Sequence, residues 1–311
     1  MVVSLFVAGL VLGSLPTLVR RLGVRVPVRE WAALCLVALV GAAALVESAL
    51  VAWAAPAVFD AIGLHELAQS CNSMLGLVAV AGWPGSVFAF GVAIVLPLTA
   101  VRNGRRLRVR AGSLQIEGEL GEHDHRDGVE IVVLPTSAPL AYSVAGARPQ
   151  IVLSSGLAAS LSDGQFAAVI AHERAHIRHG HGRWLRTAAV AVSPLHWWPP
   201  AQRSHLVLRA AIERWADEAA SRGDTDLRRA LRSALVDVVM ADPPIAVPAL
   251  SLASTTLERV DALDGMAPLS RANHILLYVP GSATALVVGM TLASCLASIP
   301  AWEAIRACCS I

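Results

Sequence analysis

The stretch SDGQFAAVIAHERAHIRHG, residues 162–180, carries the signals of a complete amphipathic helix. Ser162 followed three residues later by Gln165 is the pattern of a capping box, in which each side chain satisfies a backbone group of the first turn. Apolar residues recur at helical spacing and predict a buried face, namely Phe166, Val169, Ile170 and Ile177. The helix is expected to end near Gly180 or Gly182.

Two histidines within this helix, His172 and His176, are four positions apart and therefore share one face. Imidazoles at this spacing can hold one Zn²⁺ at about 2.0–2.1 Å and leave positions for a third protein ligand and a water. Glu173 projects beside that face, where a carboxylate can take a proton from the water and pass it to a leaving amine. The HExxH pattern thus predicts a metallopeptidase helix. The similar stretch 65–69 lacks the second histidine, and we assign it no catalytic role.

A third metal ligand is expected on the next helix, predicted from about Ala201 to Arg222 with Gly223 as its stop. On it, Glu213 and Asp217 share a face at positions i and i+4. Glu213 is the predicted third ligand. Asp217 is expected to accept a hydrogen bond from a ligand histidine and so to fix its tautomer. The alternative is a solvated acidic face that also includes Glu218.

Several other polar residues have less definite assignments. His179 lies on the same helical stripe as His172 and is either a polar helix end, as we also interpret His181, or an alternative ligand or substrate contact. His196 precedes two tryptophans and is a candidate to face the cavity. Glu47 lies near the outer end of an apolar run, where a carboxylate either serves a function or reaches the interface.

The composition is that of a membrane protein, because 55% of the 311 residues are hydrophobic and 15% are charged. A net charge of +2 gives no support to nucleic-acid binding. Four apolar runs are each about long enough to cross a hydrocarbon core of ~30 Å, which needs roughly 20 helical residues. The runs are Val2 to Val19, Trp31 to Ala55, Met74 to Ala100 and Ile275 to Ile299. Trp83-Pro84-Gly85 should kink or break the third.

The arginines predict the orientation of these spans. Four lie between the first two spans and five more lie at 102–110, whereas the loop 56–73 has none. The positive-inside rule then places the amino terminus outside and the large segment 101–273 in the cytoplasm. We therefore expect three transmembrane helices over 1–100, a cytoplasmic zinc metallopeptidase domain over 101–273, and a fourth transmembrane helix with a short tail over 274–311.

The large segment begins with short β-like stretches and continues as helices. Strands are predicted at Leu107–Arg110, Val129–Leu134 and Ile151–Leu153, with turn clusters at 121–124 and 146–149. A last helix is expected from Asp226 to about Met240. The apolar stretch 187–198 is too short to span and either dips into the membrane or is buried in the core. The predicted fold is a mainly α integral membrane protein with about four transmembrane helices, a small β-sheet and a zincin-like catalytic helix pair.

With these motifs the chain resembles the membrane gluzincin metallopeptidases. The matching segments are HERAH at 172–176, ERWAD at 213–217 and PQIVLSSGL at 149–157, while STTLERV at 254–260 resembles a later motif with an arginine before an apolar residue. The similarity covers roughly Val129 to Leu263. It includes the HtpX-like and CAAX-prenyl-protease-like peptidases and the peptidase family of the penicillin-sensing antirepressor receptors, whose order of spans is closest.

The resemblance implies that His172, His176 and Glu213 bind zinc and that Glu173 is catalytic. A penicillin-sensing domain is not expected, because the chain ends about a dozen residues after the fourth span and, without lysine, has no SxxK motif. The expected function is a membrane-embedded zinc endopeptidase at the cytoplasmic face. Its substrate is either a cytoplasmic repressor or, for an HtpX-like quality-control enzyme, a damaged membrane protein, bound along a strand edge near Ile151–Ser155. The alternative is a non-catalytic membrane scaffold. Membrane lipid is the other expected partner, without direct nucleic acid.

Overall fold

The computed structural model describes residues 2–21, 26–75, 78–118, 122–126, 128–145, 148–241, 259–260 and 262–263. Helices account for most of this structure, as the sequence predicted. They are α1 (Val2–Arg21), α2 (Val28–Ala61), α3 (His65–Leu75), α4 (Val78–Gly118), α5 (Ser155–Ser160), α6 (Asp163–His179), α7 (His181–Val192), α8 (Pro199–Ser221) and α9 (Thr225–Ala241). The strands are β1 (Glu122–Arg126), β2 (Val129–Leu134), β3 (Ala141–Val144) and β4 (Gln150–Ser154).

Three helices of the described chain are long and apolar enough to cross a membrane: α1, α2 and the part of α4 from Pro84 to Val109. The first two predicted spans therefore form helices of sufficient length and apolar character, and most of the third predicted run lies within α4. The predicted fourth span, 275–299, lies outside the described residues. Helix α4 runs unbroken through Pro84 and Pro97, so of the kink or break predicted at 83–85, the break is wrong. Membrane helices tolerate such prolines where neighbouring groups satisfy the freed carbonyls.

The segment after the third span also remains helical. The strand predicted at Leu107–Arg110 is wrong, because α4 continues through this stretch to Gly118. The predicted boundary between the transmembrane part and the peptidase domain, after residue 100, therefore lies within α4. Arginine is a good helix former, and a run of arginines placed after a membrane span can simply extend the helix into water. The β-like alternation of leucine, arginine and valine there was therefore misleading.

Helix α8 packs directly against the two amino-terminal helices. Small residues allow α1 and α2 to approach closely, since a Cβ on Gly9 would lie 2.9 Å from Cγ2 of Val46. The hydroxyls of Thr17 on α1 and Ser204 on α8 are 3.0 Å apart. Buried residues of the shared core come from both α2 and α8, including Cys35, Leu39, Leu208, Ile212 and Trp215. Packing against α1 and α2 therefore fixes the position of α8.

The sheet has the strand order β1-β2-β4-β3. Strands β2 and β4 are parallel, and each outer strand is antiparallel to its neighbour. The strands predicted near Val129–Leu134 and Ile151–Leu153 are confirmed as β2 and β4. Strand β1 lies where a turn was expected at 121–124, and its sequence is polar throughout. Strand β3 was not predicted because it has only four residues. Strand β4 lies inside the sheet, so the substrate edge expected near Ile151–Ser155 is also wrong.

The sheet is followed by helices α6 to α9, and the local signals predicted for them are confirmed. The capping box of α6 is present, with Ser162 N–H donating to Gln165 Oε1 at 2.9 Å. Helix α6 ends at Gly180, which has a φ of +64°. Helices α8 and α9 form at the predicted places. The stretch 187–198 forms the end of α7 and a single 3₁₀ turn, and Leu195 is buried in the core shared with α2, which agrees with the buried-core alternative.

Candidate metal centre

Three side chains from α6 and α8 bring their ligand atoms together. The Nε2 atoms of His172 and His176 are 3.0 Å apart. Oε2 of Glu213 lies 3.5 Å from Nε2 of His172 and 3.8 Å from Nε2 of His176. Tetrahedral zinc with bonds of about 2.0–2.1 Å requires ligand separations of roughly 3.3–3.4 Å. Within the described residues these side chains form the one cluster that could hold a metal ion, and its spacing fits zinc.

The positions of these ligands follow from the two helices that carry them. A four-residue spacing on α6 places His172 one turn before His176, and Glu213 faces both from α8. His172 is buried, whereas the side chain of Glu213 is 36% exposed. The ligand cluster is therefore enclosed by protein on the side of α6 and open to a cleft on the side of Glu213.

That cleft has a volume of about 600 Å³ and contains the predicted catalytic residue. Glu173, itself buried, lines it together with the three candidate ligands. Strand β3 forms one wall, and apolar residues cover much of the rest, including Leu157, Val169, Ile177, Leu185, Leu231 and Leu235. A cleft of this kind can accept a segment of polypeptide and exclude much of the water around it.

Asp217 and Arg259 support the ligands from behind. Oδ1 of Asp217 lies 2.9 Å from Nδ1 of His172, on the side of the ring away from the ligand cluster. Arg259 donates from Nε and Nη2 to the two oxygens of Asp217 at 2.8 and 2.7 Å, which is a bidentate pair. Its Nη1 atom lies 3.4 Å from Oε2 of Glu213. Arg259 therefore fixes the carboxylate that faces Nδ1 of His172.

The charges of the cluster favour a cation. Burial alone would lower the pKa of His172, but Asp217 and Glu213 outweigh it and raise that pKa to about 9. Burial would raise the pKa of Glu213, yet His172, His176 and Arg259 hold it well below its usual range. Carboxylates that keep a proton on a buried imidazole also favour a divalent cation in place of that proton.

Three further candidate histidines, His179, His181 and His196, lie outside the ligand cluster. His181 is fully buried, so its interpretation as a polar helix end is wrong; its Nδ1 lies 3.1 Å from Nδ1 of His176. Burial and the nearby His176 lower the pKa of His181 to about 3. His179 ends α6 and packs against the ring of Trp215, at 5.0 Å between centroids, outside the ligand cluster. His196, a candidate to face the cavity, is exposed and does not line the cleft.

Residues 119–198 match Peptidase family M48. The match spans the sheet, α6 and α7, and includes the HExxH residues at 172–176, while Glu213, Asp217 and Arg259 lie beyond it. None of the curated proteins matches the chain. The family of the matched segment and the apolar helices together confirm the resemblance to membrane gluzincin peptidases and indicate a membrane metallopeptidase.

Proposed function

We propose that this protein is a zinc-dependent endopeptidase in which His172, His176 and Glu213 bind the metal and Glu173 is the catalytic acid and base. The observation that carries the proposal is the separation of the three ligand atoms, 3.0–3.8 Å, beside a buried glutamate in an open cleft. The M48 match supports the same chemistry independently, because it rests on sequence rather than on these distances.

The side chains of the site have distinct parts in this mechanism. A bound zinc would supply Lewis acidity, which polarises the scissile carbonyl and makes water more acidic. Glu173 would accept a proton from the attacking water and deliver it to the departing amine. Asp217 would accept from Nδ1 of His172 and so keep Nε2 free for the metal. Arg259 would hold Asp217 in place through its two hydrogen bonds.

Strand β3 is the edge at which we place the substrate. It is the last strand of the described sheet and lines the cleft with residues 139–145 on that wall. Ser154 N–H donates to the carbonyl of Leu140 at 2.9 Å, so by the antiparallel alternation the main-chain groups of Ala141 and Ser143 point away from β4. An extended peptide can pair with these groups, as in β-strand addition.

Proline at position 143 should weaken substrate binding by removing the outward N–H while leaving the metal site intact. We expect Ser143→Pro to lower kcat/KM for casein by about 5–10-fold, the effect of one hydrogen bond of ~1 kcal/mol. Ser143→Ala keeps the N–H and is the matched control. Equal activities in the two variants, at equal zinc content, would show that the substrate does not pair with β3.

The membrane face and the type of substrate are part of the proposal. The arginines at 102–110 lie at the carboxyl end of the third apolar helix segment, and by the positive-inside rule they favour a cytoplasmic active site within a metallopeptidase unit over 101–273. The order of spans supports a regulatory protease that cleaves a cytoplasmic repressor. A membrane quality-control protease that cleaves damaged membrane proteins would use the same site.

Metal analysis of the full-length protein in detergent tests the zinc site. We expect one zinc per chain in the wild type, and its loss in His172→Ala and Glu213→Ala, because two protein ligands hold zinc far less tightly than three. Casein cleavage in the same samples should disappear with the metal and with added chelator. His196→Ala, which changes an exposed histidine outside the cleft, is the control.

The outcomes of that analysis separate the candidate functions. Zinc retained in Glu213→Ala would move the third ligand to another residue. Wild-type protein without zinc, even after reconstitution, would eliminate the enzyme and leave the membrane scaffold. Zinc without casein cleavage would indicate a dedicated substrate.

A further inference from the structure

The two candidate histidine ligands differ in what supports them from behind. Nδ1 of His172 faces a carboxylate, Asp217, at 2.9 Å. Nδ1 of His176 instead faces Nδ1 of His181 at 3.1 Å. His181 has no exposed surface, and its ring lies 4.6 Å from the ring of Trp215. The partner behind His176 is therefore a buried imidazole and not a carboxylate.

The geometry of the pair leaves one arrangement of protons that is compatible with metal binding. Nε2 of His176 is the atom that faces His172 and Glu213, so it must offer a lone pair to the metal. A neutral imidazole with a free Nε2 carries its proton on Nδ1. That N–H points to Nδ1 of His181, which must then accept the hydrogen bond. The proton of the His181 ring must therefore be on its Nε2. The reverse arrangement would place a proton on the ligand atom of His176.

A turn at Gly180 makes this contact possible. Gly180 ends α6 and begins α7, and its φ of +64° lies in the left-handed region that favours glycine. The helix is interrupted there, and the residue five positions after His176 lies against Nδ1 of its ring. An uninterrupted helix would place positions 176 and 181 on different faces, since residues three and four apart are the neighbours on a helix.

We propose that His181 is a positioning residue, which accepts a hydrogen bond from Nδ1–H of His176 and thereby holds Nε2 of that ligand toward the metal. The inference rests on the zinc site proposed above. Outer partners of ligand histidines usually fix both the tautomer and the ring orientation, and losing one typically costs about 10–100-fold in metal affinity. His181 would do this without adding a negative charge, in contrast to Asp217 behind His172.

Substitutions that move the acceptor atom distinguish this role from simple packing. In His181→Asn the amide oxygen can occupy the place of Nδ1, whereas in His181→Gln it reaches the place of Nε2, and His181→Leu has no acceptor. Zinc affinity of the full-length protein in detergent would be measured by competition with a chromophoric chelator. His205→Leu, which removes a partly buried imidazole of α8 outside the ligand cluster, is the control.

We expect His181→Leu and His181→Gln to bind zinc about 10–100-fold more weakly than the wild type, and His181→Asn to stay within about 3-fold of it. Equal affinities for Asn and Gln, or unchanged affinity in Leu, would overturn the proposal. If His181→Leu does not fold, the Asn and Gln pair decides the question alone. Wild-type protein that binds no zinc would refute the zinc site itself, whereas normal wild-type binding with unaffected variants would refute only the role of His181.

Discussion

Glu173→Gln is expected to retain one zinc per chain and to lose about 10²–10⁴-fold of its peptidase activity. The amide has nearly the shape of the carboxylate, so the packing of this buried side chain is preserved. It cannot accept the proton of the attacking water or deliver it to the leaving amine. The measurement is kcat/KM on casein, with zinc content and thermal unfolding determined on the same preparation.

The chain offers its own control for this substitution. Glu66 lies in the similar stretch His65-Glu66-Leu67-Ala68-Gln69 at the start of α3, where both His65 and Glu66 are exposed and His65 pairs with Asp60 at 2.6 Å. Glu66→Gln should leave both zinc content and activity unchanged. Activity that survives in Glu173→Gln would remove this residue from the mechanism. Loss of zinc in Glu173→Gln would instead make the glutamate a part of the metal site.

The features that the sequence predicted well are those with short-range causes. The capping box at Ser162, the left-handed Gly180 and the face shared by His172 and His176 all depend on residues no more than four positions apart. The apolar runs of α1 and α2 were equally clear, because membrane spans need about 20 apolar residues in sequence. Glu213 lies near the two histidines as predicted, on the helix that follows the HExxH helix and its short connection.

The features that the sequence did not predict depend on contacts between distant segments. Arg259 reaches Asp217 across 42 positions, and neither residue signals the other in the sequence. His181 resembles a polar helix end in the sequence, but after the break at Gly180 it is fully buried. Strand β3 has too few residues for an apolar alternation to be recognised, and it forms because β4 provides a partner for it. These long-range contacts are what complete the candidate site.

Arg259→Met is expected to destabilise the metal-free protein by about 3–5 kcal/mol, the usual cost of removing one partner from a buried ion pair. The side chain of Arg259 is 13% exposed and that of Asp217 is 3% exposed, so water cannot replace the two lost hydrogen bonds. Methionine keeps much of the volume of the arginine stem, which limits the effect to charge and hydrogen bonding. Denaturant unfolding in mild detergent, followed by tryptophan fluorescence in the presence of chelator, measures the change.

A second arginine provides the matched control for this substitution. Arg229 on α9 also pairs with an aspartate, Asp226, at 2.6 Å, but the two side chains are 76% and 83% exposed. Exposed pairs contribute at most about 1 kcal/mol, so Arg229→Met should change the free energy of unfolding little. Similar losses in the two variants would show that Arg259 is not part of a buried pair.

The double variant Asp217→Asn with Arg259→Met tests whether the effect comes from the pair itself. Removing both charges leaves no carboxylate at position 217 without its arginine, so the double variant should be less destabilised than the sum of the two single variants. A strictly additive result would mean that Arg259 acts through other contacts. Coupling between them would show that Arg259, 42 positions away in the sequence, stabilises the carboxylate that faces Nδ1 of His172.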